Sequence, residues 1–139
     1  SSAIARQYMA LLFLDLDDFK KINDTQGHDF GDLVLMTVAD LLSETLMSKG
    51  YLARLGGDEF TVILSNLSDP EAQVKQVCEN VLSQLSTLVC LGEIEIHLSI
   101  SIGATICAGG EAAGNELLAH ADIAMYRAKS AGKGSYSIY

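Results

Sequence analysis

Four carboxylates in two short stretches carry the strongest chemical signal in this sequence. Asp15 and Asp17 close the apolar run Met9-Ala10-Leu11-Leu12-Phe13-Leu14, and Asp58 and Glu59 come directly after two glycines in Gly56-Gly57-Asp58-Glu59. Carboxylates gathered in a partly dry site are costly unless a cation compensates. Oxygen ligands from one or two carboxylates, completed by substrate phosphates, are what Mg²⁺ prefers. Such a cation lowers the charge on a triphosphate and favours attack of a hydroxyl on its α-phosphorus. Gly56 and Gly57 permit tight backbone geometry and leave room for a ligand. Taken singly, each pair also reads as ordinary: Asp58 and Glu59 as turn residues, Asp15 and Asp17 as the end of a strand.

What makes the two pairs one site is the order of elements between them. The run ending at Leu14 predicts a strand buried on both faces. Residues 18–24 predict a short helix, with Phe19 and Ile22 three apart. Residues 29–49 predict a long helix, with Val34, Val38, Leu41 and Leu42 on one face and Gly50 as the stop. Residues 51–55 and 60–64 are strand-like and flank the glycines, which predicts a β-hairpin. Asp69 is placed to cap the next helix and Pro70 to open it; its buried stripe is Val74, Val77, Cys78, Val81, Leu82 and Leu85. Residues 94–102 alternate apolar and polar and predict one strand. Leu117, Leu118, Ala121, Met125 and Ala128 predict a last helix ended at Gly132, and residues 136–139 a final edge strand.

The order β-α-α-β-β-α-β-α-β contains β-α-β-β-α-β. It predicts an α/β (α+β) fold of the ferredoxin-like or palm type: a mixed, mainly antiparallel sheet with helices packed on it. In that arrangement the first strand and the central hairpin are neighbours, so Asp15 and Asp58 converge at one end of the sheet. After Asp17 the chain turns into a helix start, where backbone N–H groups favour phosphate. Lys20 and Lys21 add charge there, although lysines alone read equally as solvated surface residues.

Bulk properties fit a nucleotide-binding globule. The chain has 139 residues and 49% hydrophobic content with a single proline, enough for one domain, 1–139, with a real core. Beginning at Ser1, it is expected to be a piece of a longer protein. A net charge of −9 disfavours nucleic acid and anionic membrane surfaces as partners, while a single nucleotide needs only a few local cations and N–H groups. No apolar run approaches the roughly 18 residues of a membrane span, and no signal peptide is visible; the parent protein could carry a membrane anchor elsewhere. Cys78, Cys90 and Cys107 are odd in number and widely spaced, so they predict small buried hydrophobes in a reducing, cytoplasmic setting. Turn-rich stretches at 65–70 and 108–115 are too short to divide the chain.

The motifs together resemble the GGDEF domain, the diguanylate cyclase family. Arg54-Leu55-Gly56-Gly57-Asp58-Glu59-Phe60 contains its signature intact. The stretch from Leu14-Asp15-Leu16-Asp17-Asp18-Phe19-Lys20 to Asn23-Asp24, with Gly27-His28-Asp29-Phe30-Gly31-Asp32, is similar to the family's segments upstream of the signature. Ser99-Ile100-Ser101-Ile102-Gly103 and Ala121-Asp122-Ile123-Ala124-Met125-Tyr126-Arg127-Ala128-Lys129 are similar to its downstream segments. The likeness runs from about Met9 to Tyr139, and nothing before Tyr8 is similar to the family's opening helix.

The resemblance implies a cytoplasmic enzyme of bacterial signalling that binds GTP with Mg²⁺ or Mn²⁺ and condenses two GTP into cyclic di-GMP and pyrophosphate. It implies Asp15, Asp58 and the Leu16 carbonyl as metal ligands, with Glu59 as a second acidic residue needed for turnover. Asn23 and Asp32 are implied to hydrogen-bond the guanine edge, which an amide and a carboxylate can do. Without the resemblance, Asp32 reads equally as a residue favoured at a helix start. Lys20, Lys129 and Lys133 are implied to contact phosphate, as are the backbone N–H groups of Asp18, Phe19 and Lys20 beside Gly56 and Gly57. A homodimer is implied, because each domain holds one GTP, and so are a sensor domain and a fused cyclic di-GMP phosphodiesterase domain in the parent chain. The alternative activity is a GTP-binding regulatory module controlling that phosphodiesterase. Many members carry an inhibitory Arg-x-x-Asp site for the product; here the stretch is Met47-Ser48-Lys49-Gly50, so no strong product inhibition is expected through it. His28, near the site, is expected to be structural, and His97 and His120 to be surface or packing residues.

Overall fold

The apolar run before Asp15 forms β1 (Tyr8–Leu16), the central strand of the computed structural model, which describes residues 7–47, 49–108 and 114–139. After it come α1 (Phe19–Gln26), α2 (His28–Leu46), β2 (Gly50–Gly56), β3 (Glu59–Leu67) and α3 (Pro70–Ser86). Next is a two-stranded hairpin, β4 (Cys90–Leu91) with β5 (Ile94–Glu95), and then β6 (Ile100–Ala108), α4 (Gly114–Ser130) and β7 (Tyr136–Ile138). The main sheet has the order β2-β3-β1-β6-β7; every pair is antiparallel except β6 with β7. This is the mixed, mainly antiparallel α/β sheet that the element order predicts.

One face of the sheet forms the main core. Ala10, Leu12, Leu14 and Leu16 of β1, Phe60, Val62 and Leu64 of β3, and Ile100, Ile102 and Ala104 of β6 are buried there. They meet Val34, Val38 and Leu42 of α2 and Val74, Cys78, Val81 and Leu85 of α3, the apolar stripes at helical spacing. On the other face α4 lies against β6 through Ala121, Ala124, Met125 and Ala128. The approach is close enough that a methyl group on Gly103 would overlap the Met125 amide nitrogen and the Ala121 carbonyl oxygen. Tyr51, Leu55 and Ile63 stay exposed on the β2–β3 side.

Three local expectations are corrected. The alternation at 94–102 is not one strand: Ile94–Glu95 folds back on Cys90–Leu91 around Gly92, residues 96–99 leave the ladder, and β6 begins at Ile100 and runs on to Ala108. The Ile96 amide is bonded to the Val89 carbonyl at 2.8 Å, so the local hairpin takes the hydrogen bonds that a longer strand would have used. Cys90 is exposed on that hairpin and Cys107 half-buried; only Cys78 is fully buried, where desolvation pushes its thiol up to about 12. Asp69 stands at the N-cap of α3, but its side chain does not cap; the Asp69 amide donates instead to Gln73 Oε1 at 2.8 Å. Residues 1–6 of the stretch before Tyr8, residue 48 of the Met47–Gly50 segment and residues 109–113 of the 108–115 stretch lie outside the described residues. Among the described residues no helix is long and apolar enough to cross a membrane.

Candidate functional site

Strand pairing brings the two acidic stretches together. β1 and β3 are in a register that sets Asp15 opposite Glu59, and the Leu16 amide donates to the Asp58 carbonyl at 3.2 Å. The β2–β3 turn holds Gly57 at φ 54, in the left-handed region where a Cβ is disfavoured. Arg54 Nε braces this turn by donating to the Gly57 carbonyl at 3.0 Å. The Asp58 carboxylate is close enough to Asp15 for its negative charge to act on the Asp15 carboxyl.

Asp15 is held above the ordinary carboxylate range by burial; Lys129 opposes the shift, and the Asp58 carboxylate adds to it. Lys129 Nζ lies 3.0 Å from Asp15 Oδ2, while Asp15 Oδ1 is buried with no hydrogen-bond partner. An acceptor oxygen left unsatisfied beside a second carboxylate suits a hard cation. Among the described residues no three His, Cys, Asp or Glu side chains form a ready metal cage, so the side-chain donors available are the two carboxylates. The raised pKa has a consequence for stability. The folded state holds the Asp15 proton more tightly than the unfolded chain, whose value is near 3.8. That stabilising contribution is present below pH 3.8 and is lost as pH rises through the folded value. Asp15→Asn, which cannot ionise, is therefore expected to melt above the parent at pH 7 in a chelator, with the gap closing as pH falls toward 3.8. Thermal unfolding across that pH range checks this; a lower melting temperature for the variant at pH 7 contradicts it.

Asp17, though close by on the same stretch, is not free for a cation. It is 4% exposed and accepts from Ser99 Oγ at 2.6 Å, Ser101 Oγ at 2.7 Å and the Gly134 amide at 2.9 Å. Asp18, at φ 57, turns the chain into α1. Its exposed carboxylate is held below the ordinary range by Lys133, whose Nζ lies 2.8 Å from Asp18 Oδ1, and Lys133 is raised in return. Phe19 is buried at the start of α1, while Lys20 is exposed on it. Lys129 and Lys133 thus reach the carboxylate end of the sheet from α4 and from the loop after it.

Asn23 lies further along α1 and packs on Gly31 of α2 so closely that a methyl there would overlap its Oδ1. That oxygen is buried and without a partner. Asp32 comes next after Gly31 and is exposed. Glu59 is half-buried and lines a cavity of about 430 Å³ with Phe13, Leu55, Leu118, Ala119 and Asp122. His28 is exposed at the start of α2, His97 is an exposed partner of Glu95 at 2.8 Å, and His120 stacks on Tyr139 at 4.0 Å between ring centroids. The places of Ser99, Ser101 and Gly134 around Asp17 are not evident in the sequence. The Ser99-x-Ser101 spacing was visible, but its partner lies more than eighty positions earlier in the chain.

Comparison with known proteins gives a consistent result. The family described as "Diguanylate cyclase, GGDEF domain" matches residues 1–135. The bifunctional diguanylate cyclase/cyclic di-GMP phosphodiesterase MucR of Pseudomonas aeruginosa is 38% identical over 130 residues, covering 94% of this chain and 19% of that protein. The cyclic di-GMP phosphodiesterase PdeR of Escherichia coli is 36% identical over 131 residues, 94% of this chain and 20% of that protein. An X-ray structure of an EAL/GGDEF domain protein from M. capsulatus matches with a TM-score of 0.86 at 36% identity, covering 95% of this chain and 84% of that one. The chain therefore spans about a fifth of the length of these two curated relatives.

Proposed function

The chain belongs to the GGDEF family of diguanylate cyclase domains, and from that premise we propose that it condenses two GTP into cyclic di-GMP with release of pyrophosphate. The observation that carries the reading is the Asp15–Asp58 pair, Asp15 at the end of β1 and Asp58 in the β2–β3 turn beside it, with Asp15 Oδ1 buried and unpartnered. Asp15, Asp58 and the Leu16 carbonyl are the residues that would hold Mg²⁺ or Mn²⁺. When bound, that ion supplies charge neutralisation at the triphosphate.

The chain's own residues do the rest. Lys129, Lys133, Lys20 and the N–H groups of Asp18, Phe19 and Lys20 bind the phosphates, and the open Gly56–Gly57 turn gives the nucleotide room. Asn23 and Asp32 select guanine by hydrogen bonds to its edge. The 3′-hydroxyl oxygen of each GTP forms a bond to the α-phosphorus of the other, and the bond from that phosphorus to the β-phosphate bridging oxygen breaks. Glu59 takes up the hydroxyl proton. Because each domain holds one GTP, the two meet across a two-fold axis. A monomer binds GTP without turnover, and a sensor domain in a longer parent sets the dimer in a cytoplasm that supplies GTP.

The test is to incubate the full-length protein with GTP and Mg²⁺ and measure cyclic di-GMP and pyrophosphate. Product is expected, with a rate that rises faster than linearly in protein concentration. Tight GTP binding with no product at any concentration would replace this reading with the second one, a GTP-sensing module that regulates a fused phosphodiesterase. That second reading draws its support from PdeR, a phosphodiesterase 36% identical over this region. Base selection has its own check. Gly31→Ala pushes the Asn23 amide aside, so the preference for GTP over ATP in equilibrium binding is expected to fall about tenfold, as when one recognition hydrogen bond is lost. An unchanged preference removes Asn23 from base recognition.

A further inference from the structure

We propose that Asp17 is a positioning residue for the nucleotide's polyphosphate, acting through the loop that carries Lys133. The inference rests on the assignment of Lys133 to phosphate in the proposed function and extends it to a residue given no role there.

A carboxylate whose side chain is 1% exposed is costly to bury unless its oxygens are fully engaged. Asp17 meets that requirement with partners from three separate parts of the fold. Ser99 Oγ and the Gly134 amide donate to Oδ2, and Ser101 Oγ donates to Oδ1, where Lys129 Nζ also lies 3.8 Å away. The Asp17 amide donates to the Ser99 carbonyl at 2.9 Å, which ties the end of β1 to the chain just before β6.

The Gly134 bond points beyond a plain structural anchor. α4 ends in a Schellman-type turn: the Lys133 amide donates to the Ala128 carbonyl at 3.3 Å and the Gly132 amide to the Lys129 carbonyl at 3.2 Å. Three successive residues there have positive φ: Gly132 at 128, Lys133 at 60 and Gly134 at 55. The middle one bears a long cationic side chain, for which that conformation is disfavoured. A loop that only closed a helix would have no need of lysine at that position. The bond from Gly134 to Asp17 holds the loop where Lys133 Nζ reaches Asp18 Oδ1 at 2.8 Å, at the first turn of α1. Asp17 therefore fixes the loop whose cation reaches the N-cap of α1, the preorganisation that anion binding rewards.

The experiment is a double-mutant cycle on the intact chain, with GTP and GMP as probes in equilibrium binding with Mg²⁺ and thermal unfolding recorded for every variant. Asp17→Asn keeps the shape but turns one acceptor into a donor facing hydroxyl or amide groups. It is expected to weaken GTP binding about tenfold while GMP binding stays within about twofold. Lys133→Met alone is expected to weaken GTP about tenfold, and adding Asp17→Asn to it is expected to cost little more, because the two act through one contact. If Asp17→Asn does not fold, Ser99→Ala removes one Oδ2 bond and is read in the same cycle. Equal weakening of GTP and GMP, or additive effects with Lys133→Met, overturns the positioning role while leaving the phosphate assignment in place. Unchanged GTP binding in Lys133→Met overturns the phosphate assignment itself, and the role of Asp17 with it.

Discussion

Asp58→Ala is expected to lower cyclic di-GMP production by about a thousandfold or more while leaving the domain folded. A metal-held phosphate contributes several kcal/mol to the transition state, and about 4 kcal/mol is a factor of a thousand in rate. Removing Asp58 takes away one of the two carboxylates available to hold that ion, leaving Asp15 alone. The same change relieves a like-charge contact, since the Asp58 carboxylate helps push Asp15 upward. The metal-free variant should therefore melt at or slightly above the parent temperature. Product formation with GTP and Mg²⁺, compared with a thermal melt in a chelator, separates the two effects. A variant that makes product at the parental rate removes Asp58 from the chemistry. One that is inactive because it is unfolded would show instead that the pair is structural.

Gly103→Ala is expected to be among the most destabilising single-methyl changes in the chain. The added carbon would overlap backbone atoms of α4, the Met125 amide and the Ala121 carbonyl, which cannot rotate away as a side-chain tip can. Overpacking of a dense interior usually costs about 1–3 kcal/mol, and a backbone-to-backbone clash belongs at the upper end. For a domain of this size about 3 kcal/mol corresponds to a fall in melting temperature of roughly 10 °C. Lys129 rides on the displaced helix, so GTP affinity should fall with stability. Thermal and urea unfolding measure the first effect and equilibrium binding the second. A loss of less than about 1 kcal/mol means that α4 can lift away from β6 freely.

The parts of the fold legible in the sequence were those set by local pattern. The order β-α-β-β-α-β was enough to seat β1 beside the β2–β3 hairpin, and with it Asp15 beside Asp58, because sequential strands of that kind have few ways to pair. The stripes of α2 and α3 were legible because apolar spacing of three and four leaves one buried face. What escaped was decided by partners distant in sequence or by small local hairpins. The alternation at 94–102 suits a strand, yet Gly92 makes a local hairpin possible and the Ile96 amide finds Val89. Asp17 looked like a companion of Asp15, and only tertiary structure reveals that its oxygens are taken by Ser99, Ser101 and Gly134. Cys90 sat among apolar neighbours, but the two-stranded hairpin it joins is too small to cover it.

The alignment of Asp15 with Glu59 also makes the site sensitive to odd and even counts. Side chains alternate sides along β3, so inserting one residue after the Gly56–Gly57 turn would send every later side chain of the strand to the opposite side if the turn stayed in place. Phe60, Val62 and Leu64 would leave the core, or the strand would slide and carry Glu59 away from Asp15. Two inserted residues restore the alternation, so the buried and exposed sides of β3 keep their residues. Single-residue insertions and deletions in this segment should therefore be lethal to the site at positions where pairs of them are tolerated, a phase rule imposed by the strand ladder and independent of which amino acids are added.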